Sequence, residues 1–198
     1  MDLGSVVSFP AGLPPFAIGF FGLGTGYLIY GPQELFGFPA RDPSVNRATG
    51  WWGIWMPGFC QFVAGSYLFV GIAWFHTFPA AYYAAALAFS AYGIHWFAIG
   101  INRLQGNDSR PNAFMAIAFL LISILGMLAF GASNVDDIPV VLLFAGLTCI
   151  YASDIFASLK NPMGEKALGF FHLLTGTWLM YLTFAATLNL GVGDHFWL

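Results

Sequence analysis

The amino-acid sequence predicts an all-α, polytopic membrane protein with six transmembrane helices. Of its 198 residues, 59% are hydrophobic and only 8% are charged, whereas about a quarter of the residues of a soluble domain are charged. A chain with so few charged residues cannot provide the polar surface that a water-soluble fold needs. The apolar runs approach the roughly 20 residues that cross a bilayer. They are too long for barrel strands and do not alternate, so helices must satisfy the backbone in lipid.

Six spans follow one another with short connections between them. We predict them at residues 15–30, 52–75, 80–101, 112–132, 138–159 and 167–190. No segment remains for a second fold, so residues 1–198 are expected to form one transmembrane domain.

The basic residues predict the orientation of the chain. All of them lie in the connections after the first, third and fifth spans: Arg41, Arg47, Arg103, Arg110, Lys160 and Lys166. Because Lys and Arg collect on the cytoplasmic side, both termini are expected outside the cytoplasmic membrane, together with Asp2, Asp136, Asp137 and Asp194. The absence of a basic cluster argues against nucleic-acid binding.

Small residues and a proline predict how the first two spans pack. Gly22 and Gly26 form a GxxxG pair, which allows close approach of helices in a membrane. Pro57 removes a backbone donor inside the second span and is expected to bend it, opening space beside Gly58.

Few polar side chains fall inside the spans, and such residues need a partner or a wet neighbour. At 1.5 Å per residue, Gln61 and His95 lie roughly 12 to 15 Å from the cytoplasmic end, near the midplane, and could face one cavity. Tyr92 shares a helix face with His95. The alternative is that Gln61 and His95 only hydrogen-bond across helices as part of the packing.

A second polar pair is predicted near the cytoplasmic mouth. Asp154 precedes Lys160 by six positions and His172 follows Lys166 by six, so both lie about 9 Å from the same connection. We expect Asp154 and His172 to form a hydrogen-bonded pair, which offsets the roughly 2.5 to 3.5 kcal/mol cost of a lone carboxylate in a span. The alternative is that Asp154 reaches the interface alone.

Other chemistries find little support. The spans contain no lysine that could bind retinal as a Schiff base, so a retinal pigment is not expected. Catalytic motifs such as GxSxG and HExxH are also missing, so an enzyme is not expected. A haem bound by His95 and His172 would rest on two isolated histidines. Cys60 and Cys149 lie in apolar runs and indicate neither a disulfide nor a metal site. No cofactor or metal is expected.

Two segments in the second and third spans carry a family resemblance. The stretches PGFCQFVAG (57–65) and FSAYGIHW (89–96) contain G-x-x-Q-x-x-A-G and Y-G-x-x-W, and they resemble the acetate uptake transporter family, also called succinate/acetate permeases. FPAGLPPFAIGF (9–20) is similar to that family's N-P-A-P-L-G-L signature, with Phe9 in place of Asn. The resemblance implies that Tyr92 and Phe20 correspond to aromatic residues of a narrow constriction.

A second resemblance lies in the basic connections. INRLQGNDSRP (101–111) and LKNPMGEK (159–166) are similar to connecting loops of the urea and short-chain amide channel family. Members of both families form hexamers in which each protomer has its own solute path, so both resemblances imply a six-fold ring.

Together these observations predict a membrane channel or transporter for a small solute. The first resemblance implies acetate or a similar short monocarboxylate, and the alternative is urea or a short amide. Since no Lys or Arg is expected to be buried, the solute would pass as a neutral acid or amide. A hypothesis of another class is a structural or accessory subunit of a larger membrane assembly.

Overall fold

The computed structural model describes residues 15–78, 82–132, 137–192 and 196–197. Within these residues all regular secondary structure is helical. Residues 9–14 of the N-terminal signature, residue 80 at the predicted start of the third span, and Asp2, Asp136 and Asp194 lie outside the described residues.

Six long helices follow one another along the described chain, as the sequence predicts. They are α1 (Phe16–Phe36), α2 (Pro43–Ala73), α3 (Tyr82–Gln105), α4 (Asn112–Gly131), α5 (Ile138–Ser158) and α6 (Pro162–Val192). By length and composition, α2 to α6 are apolar enough to cross a membrane. Glycine and tyrosine take many positions of α1, which lowers its hydropathy.

Three helices begin with a side-chain cap followed by proline. Asp42 accepts hydrogen bonds from the backbone N–H groups of Ser44 and Val45 at 2.7 and 2.9 Å. Asp137 caps α5 through Val140 N–H at 3.1 Å, and Asn161 caps α6 in the same way. These caps satisfy backbone donors that a helix leaves free, and proline is tolerated in the first turn because it has no donor to lose.

The predicted span ends are wrong at the end of the bundle that carries the basic residues. α1 continues through Pro32 to Phe36, α2 begins at Pro43 and α3 continues to Gln105. Arg47 and Arg103 therefore lie within helices instead of loops. Polar helical turns extend beyond the apolar core of each span, and hydropathy alone does not mark their ends.

The GxxxG pair allows the close helix packing predicted for it, and the structure shows that its partner is α2. A Cβ on Gly26 would lie 2.7 Å from the Pro57 side chain, and one on Gly22 would overlap Cys60. Pro57 itself lies in a π-helical segment, Ile54–Phe59, within α2. The expected open space beside Gly58 is absent, because a Cβ there would lie 3.0 Å from the Phe97 ring.

The three basic connections meet at one end of the bundle, which we call the basic end. Arg41 and Glu165 form an ion pair of 2.7 Å, and Lys160 donates to Ser109 at 2.8 Å. In the α3–α4 connection, hydrogen bonds from Arg110 lower the pKa of Asp108 to about 2. Asp108 therefore stays charged and holds the turn that supplies Ser109.

Candidate solute path

A large cavity of about 320 Å³ opens between α1, α3, α5 and α6 at the basic end. We call it the vestibule, and its wall includes Tyr27, Glu34, Trp96, Arg103, Asp154 and His172. Acidic, basic and amide side chains dominate its outer part, while tyrosine, tryptophan and histidine side chains line its inner part. A polar solute can therefore enter it without losing all of its hydrogen bonds.

A buried charged network joins α1, α2, α3 and α6 in the vestibule wall. Arg103 donates to Gln33 at 2.6 Å and to Thr49 at 3.1 Å, and its guanidinium lies 3.7 Å from the centre of the Tyr30 ring. Glu34 lies 4.0 Å from Arg103, and the Arg103 side chain is only 16% exposed. The expectation that no Lys or Arg is buried is therefore wrong.

The predicted partners of His172 and Asp154 are also wrong, although both residues line the vestibule. His172 Nδ1 lies 2.5 Å from Glu34 Oε2, and Asp154 accepts a 2.8 Å hydrogen bond from the Ser158 hydroxyl. The physical reason is the length of α1. Its extra turn brings Glu34 to His172, and the Ser158 hydroxyl satisfies one oxygen of Asp154 locally.

A second, narrow cavity of about 30 Å³ lies further along the bundle. It contains three of the four residues predicted to line a path, namely Phe20, Gln61 and Tyr92, among apolar neighbours such as Phe89 and Leu147. Gln61 is 1% exposed and lies two residues after the π-helical segment of α2. No charged side chain of the described residues lines this cavity.

An aromatic layer lies between the two cavities, and we define it as Tyr92, His95, Phe119 and Tyr151. Tyr92 is in the wall of the narrow cavity and Tyr151 in that of the vestibule, and their rings stack at 5.4 Å. The Tyr151 hydroxyl lies 3.4 Å from His95 Nδ1, and Phe119 contacts all three other rings. His95 lines the vestibule and Gln61 the narrow cavity, so the expectation that they face one cavity is wrong.

Several buried polar atoms along this line have no hydrogen-bond partner among the described residues. They are Tyr27 Oη, Gln61 Oε1, His95 Nε2, Trp96 Nε1 and Thr175 Oγ1. Leaving such an atom unpaired costs about 1 to 3 kcal/mol. The first four belong to residues that line one of the two cavities. Tyr27 and Trp96 are on the vestibule side of the aromatic layer, Gln61 is on the side of the narrow cavity, and His95 belongs to the layer.

Five residues of the vestibule wall are not among those that the sequence predicted to line a path: Glu34, Arg103, Tyr27, Trp96 and Tyr151. One signal was available on α1, where Tyr27, Tyr30 and Glu34 follow one another at spacings of three and four. This helical spacing extends a single buried face past Pro32. Trp96 is the last residue of the Y-G-x-x-W stretch, which was a second signal, and no comparable signal identifies Tyr151 as a cavity residue.

No protein-family model and no curated protein matches the chain. Among solved structures, the fold is similar to the structure of the bacterial acetate channel SatP, with a TM-score of 0.73 and 18% sequence identity. The match covers 91% of this chain and 94% of that one. This likeness confirms the fold that the resemblance to acetate transporters implies. The chain is thus a six-helix membrane protein with the fold of the bacterial acetate channel SatP.

Proposed function

We propose that each protomer forms a path for a small solute, running from the vestibule through the aromatic layer to the narrow cavity. The observation that supports this proposal is the series of buried polar atoms without protein partners on both sides of that layer. In a packed bundle with no path, each of these atoms would reduce stability without compensation. A solute that exchanges hydrogen bonds with them in turn supplies that compensation.

The solute that fits best is acetate or a similar short monocarboxylate, crossing the layer as the undissociated acid. The narrow cavity has apolar walls that suit a methyl group, and Gln61 Oε1 can accept a hydrogen bond from a carboxylic O–H. An ion would lose its hydration there and meet no charged side chain of the described residues, which is costly in a membrane. The likeness to an acetate channel supports the same solute class.

Urea or a short amide is the second candidate, and one feature of the vestibule favours it. Asp154 lines the vestibule, and a carboxylate accepts hydrogen bonds but repels an anion. An amide N–H₂ group can donate to it. Acetic acid and amides share a small, planar and uncharged head, so both fit the same path.

The proposal extends to assembly and orientation. We infer a ring of protomers, six by the family resemblance, in the cytoplasmic membrane with the basic end facing the cytoplasm. Each protomer would carry its own path, since both cavities lie within a single chain.

Uptake of labelled acetate by proteoliposomes tests the proposal, with empty liposomes as the background. Gln61→Leu keeps the volume of the side chain and removes the acceptor, so uptake should fall by about tenfold, the effect of 1.4 kcal/mol at a barrier. Gln105→Leu, at the exposed end of α3, is the matched control and should behave as wild type. Wild-type uptake of acetate, urea and acetamide no faster than in empty liposomes would overturn the proposal in favour of an accessory subunit.

A further inference from the structure

The inner end of the vestibule is built from aromatic side chains of three helices. Tyr27, Trp96 and Tyr151 each lie seven residues before Glu34, Arg103 and Ser158 respectively, about 10 Å deeper along their helices. The rings of Tyr27 and Trp96 are 5.9 Å apart, and His95 contacts both Trp96 and Tyr151. The four rings therefore form one continuous wall, in which His95 and Tyr151 belong to the aromatic layer and Tyr27 and Trp96 adjoin it on the vestibule side.

Two hydrogen-bond donors in this wall have no partner among the described residues. They are the indole N–H of Trp96 and the hydroxyl of Tyr27, and these side chains are 2% and 1% exposed. An indole N–H can only donate. The Trp96 donor therefore needs an oxygen or a similar acceptor, and Tyr27 can donate to the same atom from the adjoining ring.

An acceptor lies beside these donors. Asp154 is one helical turn after Tyr151 on α5, so both side chains lie on the same face. Asp154 lines the same cavity as Tyr27, Trp96 and Tyr151. Ser158 is its only hydrogen-bonding partner among the described residues, and this single bond leaves most of its acceptor capacity free.

The basic groups of the vestibule are engaged elsewhere. Arg103 is held by Gln33, Thr49 and Glu34, Arg41 pairs with Glu165, and Lys160 donates to Ser109. The groups that act on Asp154 from other helices are Glu34 and Tyr27 of α1 and His172 of α6. His172 is itself hydrogen-bonded to Glu34. An anion at the inner end would thus meet the Asp154 carboxylate, while Arg41, Arg103 and Lys160 make their contacts with residues of the basic end.

We propose that the inner end of the vestibule is a binding site for an uncharged, planar carboxyl or carboxamide head. Its carbonyl oxygen accepts from Trp96 Nε1–H and the Tyr27 hydroxyl, and the O–H or N–H on the same carbon donates to Asp154. A carboxylate anion is excluded because it has no hydrogen to donate to Asp154. This site rests on the proposed function and makes it more specific, because it selects the uncharged solute before the aromatic layer.

Equilibrium binding to the purified full-length protein tests the site, with labelled acetamide and labelled acetate as probes. At neutral pH acetate is ionised, so acetamide should bind and acetate should not. At mildly acidic pH part of the acetate is undissociated. Acetate binding that appears there shows that one proton, on the acetate or on Asp154, admits a carboxyl head, whereas binding of acetamide alone at both pH values restricts the site to amides. Acetate binding as tightly as acetamide at neutral pH would overturn the proposal.

Two variants separate the donor from the acceptor. Trp96→Phe should weaken acetamide binding by about 3- to 10-fold, the value of one net hydrogen bond. Asp154→Asn should admit ionised acetate at neutral pH, because an amide N–H₂ can donate to a carboxylate. Asp42→Asn, which changes a carboxylate outside this cavity and keeps a helix cap, is the control and should bind acetamide and exclude ionised acetate as wild type does.

Asp154→Asn gains a ligand, so misfolding cannot imitate its expected result. Folded Asp154→Asn protein that still excludes acetate, or Trp96→Phe protein with unchanged affinity, would overturn the site. Uptake by proteoliposomes from the same preparations keeps the two proposals apart. Uptake without binding of either probe rejects only the site, and absence of uptake rejects the path.

Discussion

Tyr92 is fixed in the aromatic layer by Ser123, whose Oγ lies 2.8 Å from the Tyr92 hydroxyl across the interface of α3 and α4. The Ser123 hydroxyl donates its single hydrogen to the Phe119 carbonyl at 2.8 Å. Tyr92 must therefore donate and Ser123 accept. The bond holds the Tyr92 ring against Tyr151, between the vestibule and the narrow cavity.

Removing this bond should loosen the layer. Tyr92→Phe and Ser123→Ala should each cost about 1 kcal/mol of stability and raise the uptake of larger monocarboxylates, such as butyrate, relative to acetate. The double variant should resemble either single variant, since both remove the same bond. Tyr83→Phe, an exposed tyrosine of α3, should change nothing. Additive effects on the butyrate-to-acetate ratio would argue against this coupling.

The buried Glu34 carboxylate should matter far more to stability than an exposed one. Glu34→Gln removes the carboxylate that contacts His172 and faces Arg103, and losing a buried hydrogen bond to a charged group costs about 1.5 to 3 kcal/mol. Glu165→Gln breaks an exposed pair with Arg41 and should cost about 0 to 1 kcal/mol. Thermal unfolding in detergent measures both. Equal shifts for the two variants would mean that the buried network is not stabilising.

Gln61 should show opposite effects on stability and transport. Its Oε1 is buried without a partner among the described residues, so Gln61→Leu should stabilise the protein by about 1 to 3 kcal/mol. The same change should slow acetate uptake. Thermal unfolding and uptake are measured on one preparation. A variant that loses stability and uptake together would indicate that Gln61 serves packing.

The fold could be predicted from composition because the thickness of the hydrocarbon layer sets the length of each apolar run. Close packing at Gly22 and Gly26 was predictable because close approach requires small residues at fixed spacing, whereas the identity of their partner, Pro57 for Gly26, was not. Helix ends at the basic end were not predictable. The turns that carry Glu34 and Arg103 are polar, and only the bundle determines that these turns face inward.

The candidate site was only partly predictable. Phe20, Gln61 and Tyr92 do line one cavity, while His95 lines the other. Counting residues gives depth along a helix but not which side of an aromatic ring a neighbour occupies. The predicted pair of Asp154 and His172 was wrong for the same reason. These two residues have similar depth, but Glu34, on a helix far away in the sequence, approaches His172 more closely.

The most direct test of the path is to fill the narrow cavity. Ala88 lines it and is 3% exposed, so Ala88→Val and Ala88→Leu should reduce acetate uptake stepwise, with Ala88→Leu at the level of empty liposomes. Overpacking costs about 1 to 3 kcal/mol, so thermal unfolding must verify that each variant is folded. Ala98→Leu, on the exposed face of α3, is the control and should transport as wild type. Folded Ala88→Leu protein with wild-type uptake would contradict a path through this cavity.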